Sequence, residues 1–399
     1  MFVQELCGSW MDHPFWKMRF LLETDKDLQR LQSSAIRELW IDTDKGLDVS
    51  GGETVAAVAA ATDALLLGAE REPVGKAQTD LDDEMGRALK LCARSKERLA
   101  SLFVAVRSGA ELDGGQLLEQ VEEIGESLQR HPHALISLAR LRAASDYHYL
   151  HALAVSALMI ALARQLGLSE ALVQEAGVAG LLHDLGEALM PAELLNSPGK
   201  LSRIDSALLR DHPALGAETL AKQGFSPALV DVCLHHHEKP DGSGYPHHLQ
   251  GEQIGLLAKM CAVCDVYDAL TSDRPYQKGL DPAEAMRKMA EWCPAQFDDG
   301  IFRAFVKALG IYPTGALVRL ESGRLGVVLE QHPQSLLTPK VKVFFSAKSK
   351  APIPQEVLDL SKLVGRERIV GREAEEDWGF RNLEELWSGE RKGRNTLFG

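Results

Sequence analysis

A chain of 399 residues is too long for a single ordinary hydrophobic core, so two or three domains are expected. The composition, 45% hydrophobic and 25% charged, is that of a globular protein, and the formal net charge of −13 argues against a DNA partner. The sequence has no apolar run that predicts a membrane span, no secretory signal, and no disulfide pattern among its six cysteines, so we predict a cytoplasmic protein.

The predicted elements begin with a small unit that contains both helix and strand. Residues 25–34 have a helix-like pattern, and residues 36–42 (IRELWID) have the pattern of a half-buried strand. We place this small α+β N-terminal domain at residues 1–48. Residues 49–80 are rich in Ala, Gly and polar residues, which predicts a linker that is helical in part.

The sequence from residue 81 to residue 312 predicts helices almost throughout, because apolar residues recur at three-and-four spacing. Beyond it, the segment ALVRLESGRLGVVLE predicts two strands joined at Ser322-Gly323, and residues 340–346 predict a third strand. The fold class is therefore mainly α: a helical domain at 81–312, a small β-rich appendix at 313–372, and a polar, mobile tail at 373–399.

Histidine is concentrated in the helical region, where nine of the thirteen lie between residues 148 and 248 together with several aspartates. A lone histidine in a helix is usually a core or surface residue. Several histidines and aspartates from different helices, however, are how metal sites in helical bundles are built. Asp184 follows His183 in the apolar stretch LLHDLGEALM (181–190), where an unpaired buried carboxylate would be costly. One or two divalent cations would neutralise it.

The order of these residues resembles the HD-GYP family of bacterial cyclic-di-GMP phosphodiesterases, a branch of the HD phosphohydrolases. The resemblance covers about residues 140–312, and it is carried by two long motifs, HHEKPDGSGYP (236–246) and DVYDALTSDRPY (265–276). It implies that 81–312 is an HD-type helical bundle, the catalytic domain with its leading helices. The first fifty residues look like the small domain that often precedes this catalytic domain.

The resemblance implies a binuclear site that holds two divalent transition-metal ions per chain, with Fe, Mn, Ni and Zn as candidates. One ion would be bound by His151, His183, Asp184 and Asp265, and the second by Asp184, as a bridge, with His212, His236 and His237. Two such ions lower the pKa of a bridging water and so supply hydroxide near neutral pH. The implied reaction opens cyclic di-GMP to pGpG, and further cleavage to GMP is allowed.

Four further positions are expected near the substrate. Tyr245 lies in the Gly-Tyr-Pro loop, and Arg274 and Lys278 follow the helix that carries Asp265. A guanidinium suits the geometry of a phosphate, and a tyrosine ring can stack on a nucleotide. Asp268, one turn after Asp265, would orient a ligand or pair with Arg274.

Two positions depart from the family pattern. Glu187, which we assign to the catalytic region, stands where members commonly carry Lys, and its side chain is expected on the face of Asp184. Tyr147 stands where some members carry the glutamate of a third metal site, which predicts two ions rather than three.

Glu187 also supports an alternative function. A carboxylate near the substrate phosphate would weaken binding, so the chain could be a catalytically weak HD-GYP protein that senses cyclic di-GMP or binds signalling proteins. A third hypothesis keeps the metal chemistry but changes the substrate to another nucleotide phosphoester. The oligomeric state is left open.

Three other groups of residues are predicted to be structural. Cys261 and Cys264 have the spacing of a metal or redox pair, but no second pair follows, so core packing is favoured. His235 would point away from His236 on a helix and lie at the surface or behind a ligand. His247 and His248 are expected in a solvated loop.

Overall fold

The computed structural model describes residues 1–7, 15, 19–34, 36–67, 79, 81–140, 147–191, 194, 203–273, 278–332, 335–380 and 383–388. Helices dominate residues 81–309, and two small antiparallel sheets lie on either side of them along the chain. The predicted fold class, mainly α with small β-containing ends, is confirmed. Within the described residues, no helix has both the length and the apolar composition that crossing a membrane requires.

The N-terminal unit is a three-stranded antiparallel sheet with one helix. Strands β1 (Phe2–Leu6), β2 (Phe20–Leu21) and β3 (Leu39–Ile41) have the order β2-β1-β3, and α1 (Asp25–Gln32) lies between the last two along the chain. The helix begins where the Thr24 hydroxyl accepts a hydrogen bond from the Asp27 amide at 3.1 Å. Helix and strand therefore lie within the segments that the sequence predicts.

The helical part of the chain begins inside the predicted linker. The helices, in chain order, are α2 (Val55–Leu67), α3 (Leu81–Ser108), α4 (Gly114–Arg130), α5 (Ala134–Arg140), α6 (Tyr147–Gln165), α7 (Glu170–Leu182), α8 (Arg203–Leu209), α9 (His212–Lys222), α10 (Pro227–His235), α11 (Leu256–Thr271), α12 (Pro282–Trp292) and α13 (Asp299–Leu309). A 3₁₀ turn at Leu185–Leu189 follows α7, and another occupies Gly251–Gln253.

Helix α6 lies at the centre of this bundle. It packs against α5, α7, α11 and α13, and its residues from Leu150 to Ile160 are buried. The approach to α7 is close because Gly180 faces the backbone of Ser156, and the Ser156 hydroxyl donates a hydrogen bond to the Gly177 carbonyl at 2.8 Å. This close contact fixes the distance between the beginning of α6 and the end of α7, where residues of the candidate site lie.

The C-terminal sheet has five antiparallel strands. They are β4 (Leu317–Leu320), β5 (Arg324–His332), β6 (Ser335–Ser346), β7 (Ala351–Asp359) and β8 (Ile369–Arg372), in the order β7-β6-β5-β4-β8. The first hairpin turns at Gly323, whose φ of 84° suits glycine, as the Ser322-Gly323 prediction requires. Strands β7 and β8 are additional to the three predicted.

The segment predicted as a polar, mobile tail is structured where the chain is described. Short helices α14 (Glu375–Trp378) and α15 (Glu385–Ser388) lie there, and the side chains of Leu383 and Trp387 are buried in the hydrophobic core. These two apolar side chains supply burial that the polar average of the segment conceals.

The α6–α7 contact yields a stability prediction. A Cβ at Gly180 would lie 2.6 Å from the Ser156 Cα, whereas a Cβ at Gly86 on α3 would meet no atom within 4 Å. We expect Gly180→Ala to lower the free energy of unfolding by about 1–3 kcal/mol through overpacking. The matched variant Gly86→Ala should leave it unchanged or raise it by about 1 kcal/mol. Urea unfolding followed by circular dichroism measures both, and equal stability of the two variants would contradict the prediction.

Candidate metal centre

Seven imidazole and carboxylate side chains converge in the helical bundle, all from ends or buried faces of helices. They are His151 of α6, His183 and Asp184 after α7, His212 at the start of α9, His236 and His237 after α10, and Asp265 of α11. These are the seven positions that the sequence predicts as ligands. They form two groups that could each hold a metal ion: Asp184, His212, His236 and His237 in one, and His151, His183 and Asp265 in the other.

The local sequence explains why these residues meet. Helix α7 ends at Leu182, so His183 and Asp184 lie at the turn into the 3₁₀ segment. Gly186 in that segment touches the backbone of His212, where a Cβ would clash, and this brings α9 against the turn. Pro213 occupies the first turn of α9, a favoured position for proline.

Asp184 lies between the two groups and faces both. Its Oδ1 is 3.2 Å from His212 Nε2 and 3.3 Å from His236 Nε2. Its Oδ2 is 3.2 Å from His183 Nε2 and 3.6 Å from His151 Nε2. One carboxylate therefore presents one oxygen to each pair of imidazoles, which is the arrangement of a bridging ligand.

The remaining contacts close the two groups. His151 Nε2 is 3.2 Å from Asp265 Oδ1 and 3.3 Å from His183 Nε2. In the other group His212 Nε2 and His236 Nε2 are 3.4 Å apart. His237 lies slightly farther out, with Nδ1 3.9 Å from Asp265 Oδ2. Donor atoms of both kinds therefore face a common interior.

Hydrogen bonds on the outer side of the cluster fix the imidazole tautomers. In three of the five clustered histidines the Nδ1–H group donates to a main-chain carbonyl oxygen, which can only accept. These bonds join His183 to Gly180 at 2.9 Å, His212 to Leu209 at 2.7 Å, and His236 to Cys233 at 3.0 Å. In the neutral form of each ring, Nε2 therefore presents a lone pair to the interior.

This tautomer pattern fits divalent cations. Without a cation, the Nε2 lone pairs would face the Asp184 oxygens at 3.2–3.3 Å, which is repulsive, unless three buried imidazolium ions formed side by side at a large desolvation cost. Two donor atoms that bind the same ion, each at about 2.1 Å, lie roughly 3.0–3.4 Å apart, and this separation matches the distances between Asp184 and the rings. Imidazole and carboxylate together suit Zn, Mn, Fe and Ni.

The electrostatics favour the ligand-competent forms of two residues. Burial alone would raise the pKa of Asp184, but in the absence of a cation the protonated forms of the surrounding imidazoles hold that pKa well below its ordinary value. Asp184 in turn raises the pKa of His183 and His212 against the effect of burial, so a metal ion at these rings would replace a proton. Burial and the neighbouring His236 hold the pKa of His237 well below its ordinary value. Asp184 is therefore an anion and His237 a neutral ring, as metal ligation requires.

Asp268 supports the cluster from behind. Its Oδ2 is 2.6 Å from His151 Nδ1, and its Oδ1 accepts a hydrogen bond from the Ser272 hydroxyl at 3.4 Å. The side chain is almost wholly buried. A carboxylate at Nδ1 orients the ring of His151 and increases the basicity of Nε2, so Asp268 lies behind a ligand candidate.

The structure describes two of the other three predicted substrate contacts, Tyr245 and Lys278. The ring of Tyr245 stacks on that of His237, with centroids 4.8 Å apart and an interplanar angle of 26°. Lys278 is exposed, and its Nζ is 3.2 Å from Glu375 in the C-terminal segment. Arg274 lies outside the described residues. Of these three, the structure brings Tyr245 against a metal-ligand candidate.

Glu187 is bonded to a histidine that the sequence analysis did not use. Its Oε2 is 2.7 Å from Nδ1 of His148, which lies one helical turn before His151. Burial alone would lower the pKa of His148, but the Glu187 carboxylate raises it above its ordinary value. The carboxylate that departs from the family pattern is therefore accompanied by an imidazole whose charged form it stabilises.

The loop after His237 is shaped by a buried glutamate. Glu238 accepts hydrogen bonds from the backbone amides of His247 at 2.6 Å and Leu249 at 3.0 Å. Gly244 packs against this turn, where a Cβ would lie 2.6 Å from the His237 carbonyl oxygen. These contacts hold the loop that carries Tyr245. The sequence analysis did not single out Glu238, although a carboxylate directly after two candidate ligand histidines could have indicated it.

Sequence reasoning also missed Arg210. Arg210 lies on the turn that precedes His212, and its Cζ is 4.9 Å from the centroid of the Tyr245 ring. A basic residue two positions before a ligand histidine is the only sequence signal, and many arginines share it.

The residues predicted to be structural lie outside the two groups of ligand candidates. Cys261 and Cys264 are fully buried, and burial raises the pKa of both thiols well above its ordinary value, which fits core packing. His235 faces Asp231 at 2.8 Å through Nδ1 and His247 at 2.9 Å through Nε2. His247 and His248 are exposed, as predicted.

Two family models match the chain. A model described as an HD domain matches residues 124–300, and a domain of unknown function (DUF3391) matches residues 1–117. The HD-domain match contains all seven residues of the cluster. The predicted domain boundaries stay predictions.

Two similar proteins carry the name cyclic di-GMP phosphodiesterase. A protein of Pseudomonas aeruginosa named cyclic di-GMP phosphodiesterase is 56% identical over 400 residues, which cover 100% of this chain and 95% of the relative. A cyclic di-GMP phosphodiesterase response regulator of Xanthomonas campestris is 44% identical over 118 residues, covering 29% of this chain and 31% of that protein.

A solved structure of Bdellovibrio bacteriovorus, described as an HDG"Y"P protein, is 21% identical, with a TM-score of 0.46 and coverage of 74% of this chain and 88% of that one. The identity to the Pseudomonas protein extends over the whole chain, and the HD-domain match spans the histidine and aspartate cluster together with the Gly-Tyr-Pro loop. The chain therefore belongs to the HD-GYP family of HD-domain proteins.

Proposed function

We propose that this protein is a metal-dependent phosphodiesterase that hydrolyses cyclic di-GMP to the linear dinucleotide pGpG. The observation that carries the proposal is Asp184, which presents one oxygen to His151 and His183 and the other to His212 and His236. A relative that matches the whole chain is named for the same activity, which supports the choice of substrate.

The cluster is proposed to hold two divalent cations, one in each group of ligands. Bound there, such ions would lower the pKa of a water between them and neutralise charge on the attacked phosphate. The chain's own residues do the positioning: Asp184 fixes the separation of the two groups, and Asp268 holds the ring of His151. The backbone carbonyls of Gly180 and Leu209 keep the Nδ1 protons on His183 and His212, so Nε2 points inward.

The substrate is proposed to enter beside the Gly-Tyr-Pro loop. The Tyr245 ring covers His237 and so borders the ligand cluster. An aromatic ring at this place can contact a nucleotide, while Glu238 holds the loop from the other side through two backbone amides. The reacting phosphate would thus be placed between the ligand cluster and the loop.

The alternative, a weak enzyme that acts as a cyclic-di-GMP sensor, depends on repulsion between Glu187 and the phosphate. The contact between Glu187 and His148 acts against this repulsion, because the carboxylate raises the pKa of the imidazole, and the charged imidazole offsets the charge of Glu187. The geometry therefore favours the enzyme over the sensor.

Three predictions test the proposed function, and the first of them concerns the shared carboxylate. Asp184→Asn should reduce bound metal from about two ions per chain to less than one, and turnover of cyclic di-GMP by more than about a hundredfold, because one change removes a ligand from both groups. Elemental analysis and product chromatography measure the two effects. The matched variant Asp231→Asn, whose carboxylate contacts His235, should keep its metal. Full metal retention in Asp184→Asn would exclude the bridging role.

A second prediction concerns stoichiometry. Tyr147 offers no carboxylate at the third-site position, so the purified protein should contain about two divalent ions per chain. Elemental analysis after dialysis measures this value, and Tyr147→Glu should increase it towards three. A value close to three in the wild-type protein would show that Tyr147 does not limit the number of ions.

A third prediction concerns Glu187. Glu187→Lys replaces an anion by a cation near the substrate phosphate, so the KM for cyclic di-GMP should fall by about tenfold with the metal content unchanged. Glu187→Gln should give an intermediate value. Steady-state kinetics with elemental analysis of each variant tests this order. Loss of metal would instead make Glu187 a ligand, and an unchanged KM would place it outside the substrate site.

A further inference from the structure

Arg210 occupies a fixed position beside the ligand cluster. It lies on the turn between α8 and α9, where its amide donates a hydrogen bond to the Ala207 carbonyl at 3.1 Å, and its side chain is half-buried. Two residues later, His212 presents Nε2 to Asp184. The base of the arginine side chain is therefore held by the same turn that positions a ligand candidate.

The guanidinium group is directed over an aromatic ring that itself covers a ligand. Arg210 Cζ is 4.9 Å from the Tyr245 centroid, within the range of a cation–π contact. Tyr245 stacks on His237, and the rings of His237 and His212 are 5.1 Å apart. A continuous series of contacts therefore leads from the half-buried Arg210 through Tyr245 to His237 in the cluster.

A guanidinium over a ring keeps its charge and its planar set of N–H donors, and this fork matches phosphate geometry. The substrate in the proposed function carries two phosphodiester groups. The ligand cluster, with its cations, serves the one that is cleaved. The second phosphate is equally anionic, and a cation outside the ligand cluster would stabilise it when the substrate is bound.

The geometry points to Arg210 as a specificity-determining residue that binds the non-cleaved phosphate of the cyclic dinucleotide, with Tyr245 holding the guanidinium in place. This inference rests on the proposed function and extends it, because it explains why a dinucleotide would be preferred over a diester that has a single phosphate. The proposed role of Arg210 is based on its contact with Tyr245 and on the contact of Tyr245 with His237, and it does not depend on Arg274.

Two substrates separate this role from a structural one. Cyclic di-GMP contains both phosphates, whereas bis(p-nitrophenyl) phosphate contains the cleaved group alone. In the metal-loaded full-length protein, Arg210→Gln should raise the KM for cyclic di-GMP by about 10- to 100-fold and leave hydrolysis of bis(p-nitrophenyl) phosphate within about twofold. Arg210→Lys should give an intermediate KM, because charge remains but the planar fork is lost.

The control is Arg303→Gln, an exposed arginine of α13 that pairs with Asp299, and it should leave both substrates unaffected. Equal losses on both substrates in Arg210→Gln would mean that the side chain supports the fold, and an unchanged KM for cyclic di-GMP would mean that it does not bind the phosphate. Either result overturns the inference while the proposed function stands. Absence of cyclic di-GMP turnover in the wild-type protein would overturn the proposed function and this inference with it.

Discussion

The carboxylate of Asp184 is the constraint on which the rest of the site depends. It lies between four imidazole Nε2 atoms, at distances of 3.2–3.6 Å. Hydrogen bonds oblige three of these rings, in their neutral form, to present lone pairs to it. Such an arrangement is repulsive unless divalent cations lie within it or the rings are protonated, and burial makes several adjacent imidazolium ions costly, so the donor set favours divalent ions.

Helix ends meet the hydrogen-bonding requirement of these histidines. A ligand histidine needs an acceptor for its outer Nδ1–H group, and carbonyls in the last turn of a helix have no partner within that helix. His183 and His236 lie at such ends, and their rings bond to carbonyls three residues earlier. His212 uses the Leu209 carbonyl at the end of α8 in the same way. Helix ends therefore supply both the position and the tautomer of the ligands.

Much of the site could be predicted from the sequence, because metal ligation restricts each position to a few residue types. A histidine beside an aspartate in an apolar stretch has few explanations, and long motifs reduce them further. Arg210 and His148 could not be predicted in this way: each is an ordinary residue on its own, and each acquires a partner only when distant segments fold together. The sheet shows the same limit, since Pro352 and Pro354 obscure the pattern of β7, which lies at a sheet edge where proline is tolerated.

The Gly-Tyr-Pro loop shows why that motif is so specific. His236 and His237 are needed for their nitrogen atoms, whereas Glu238 is needed for two backbone amides and Gly244 because a side chain would meet the backbone. Chemical and steric requirements thus coincide within nine residues. The loop is also held from outside the cluster, since the Asp241 amide donates a hydrogen bond to the Ala295 carbonyl at 3.2 Å. The side chain of Arg210 reaches this loop from another segment, since its Cζ lies 4.9 Å from the centroid of the Tyr245 ring, so the loop joins the ligand cluster to residues that are distant in the sequence.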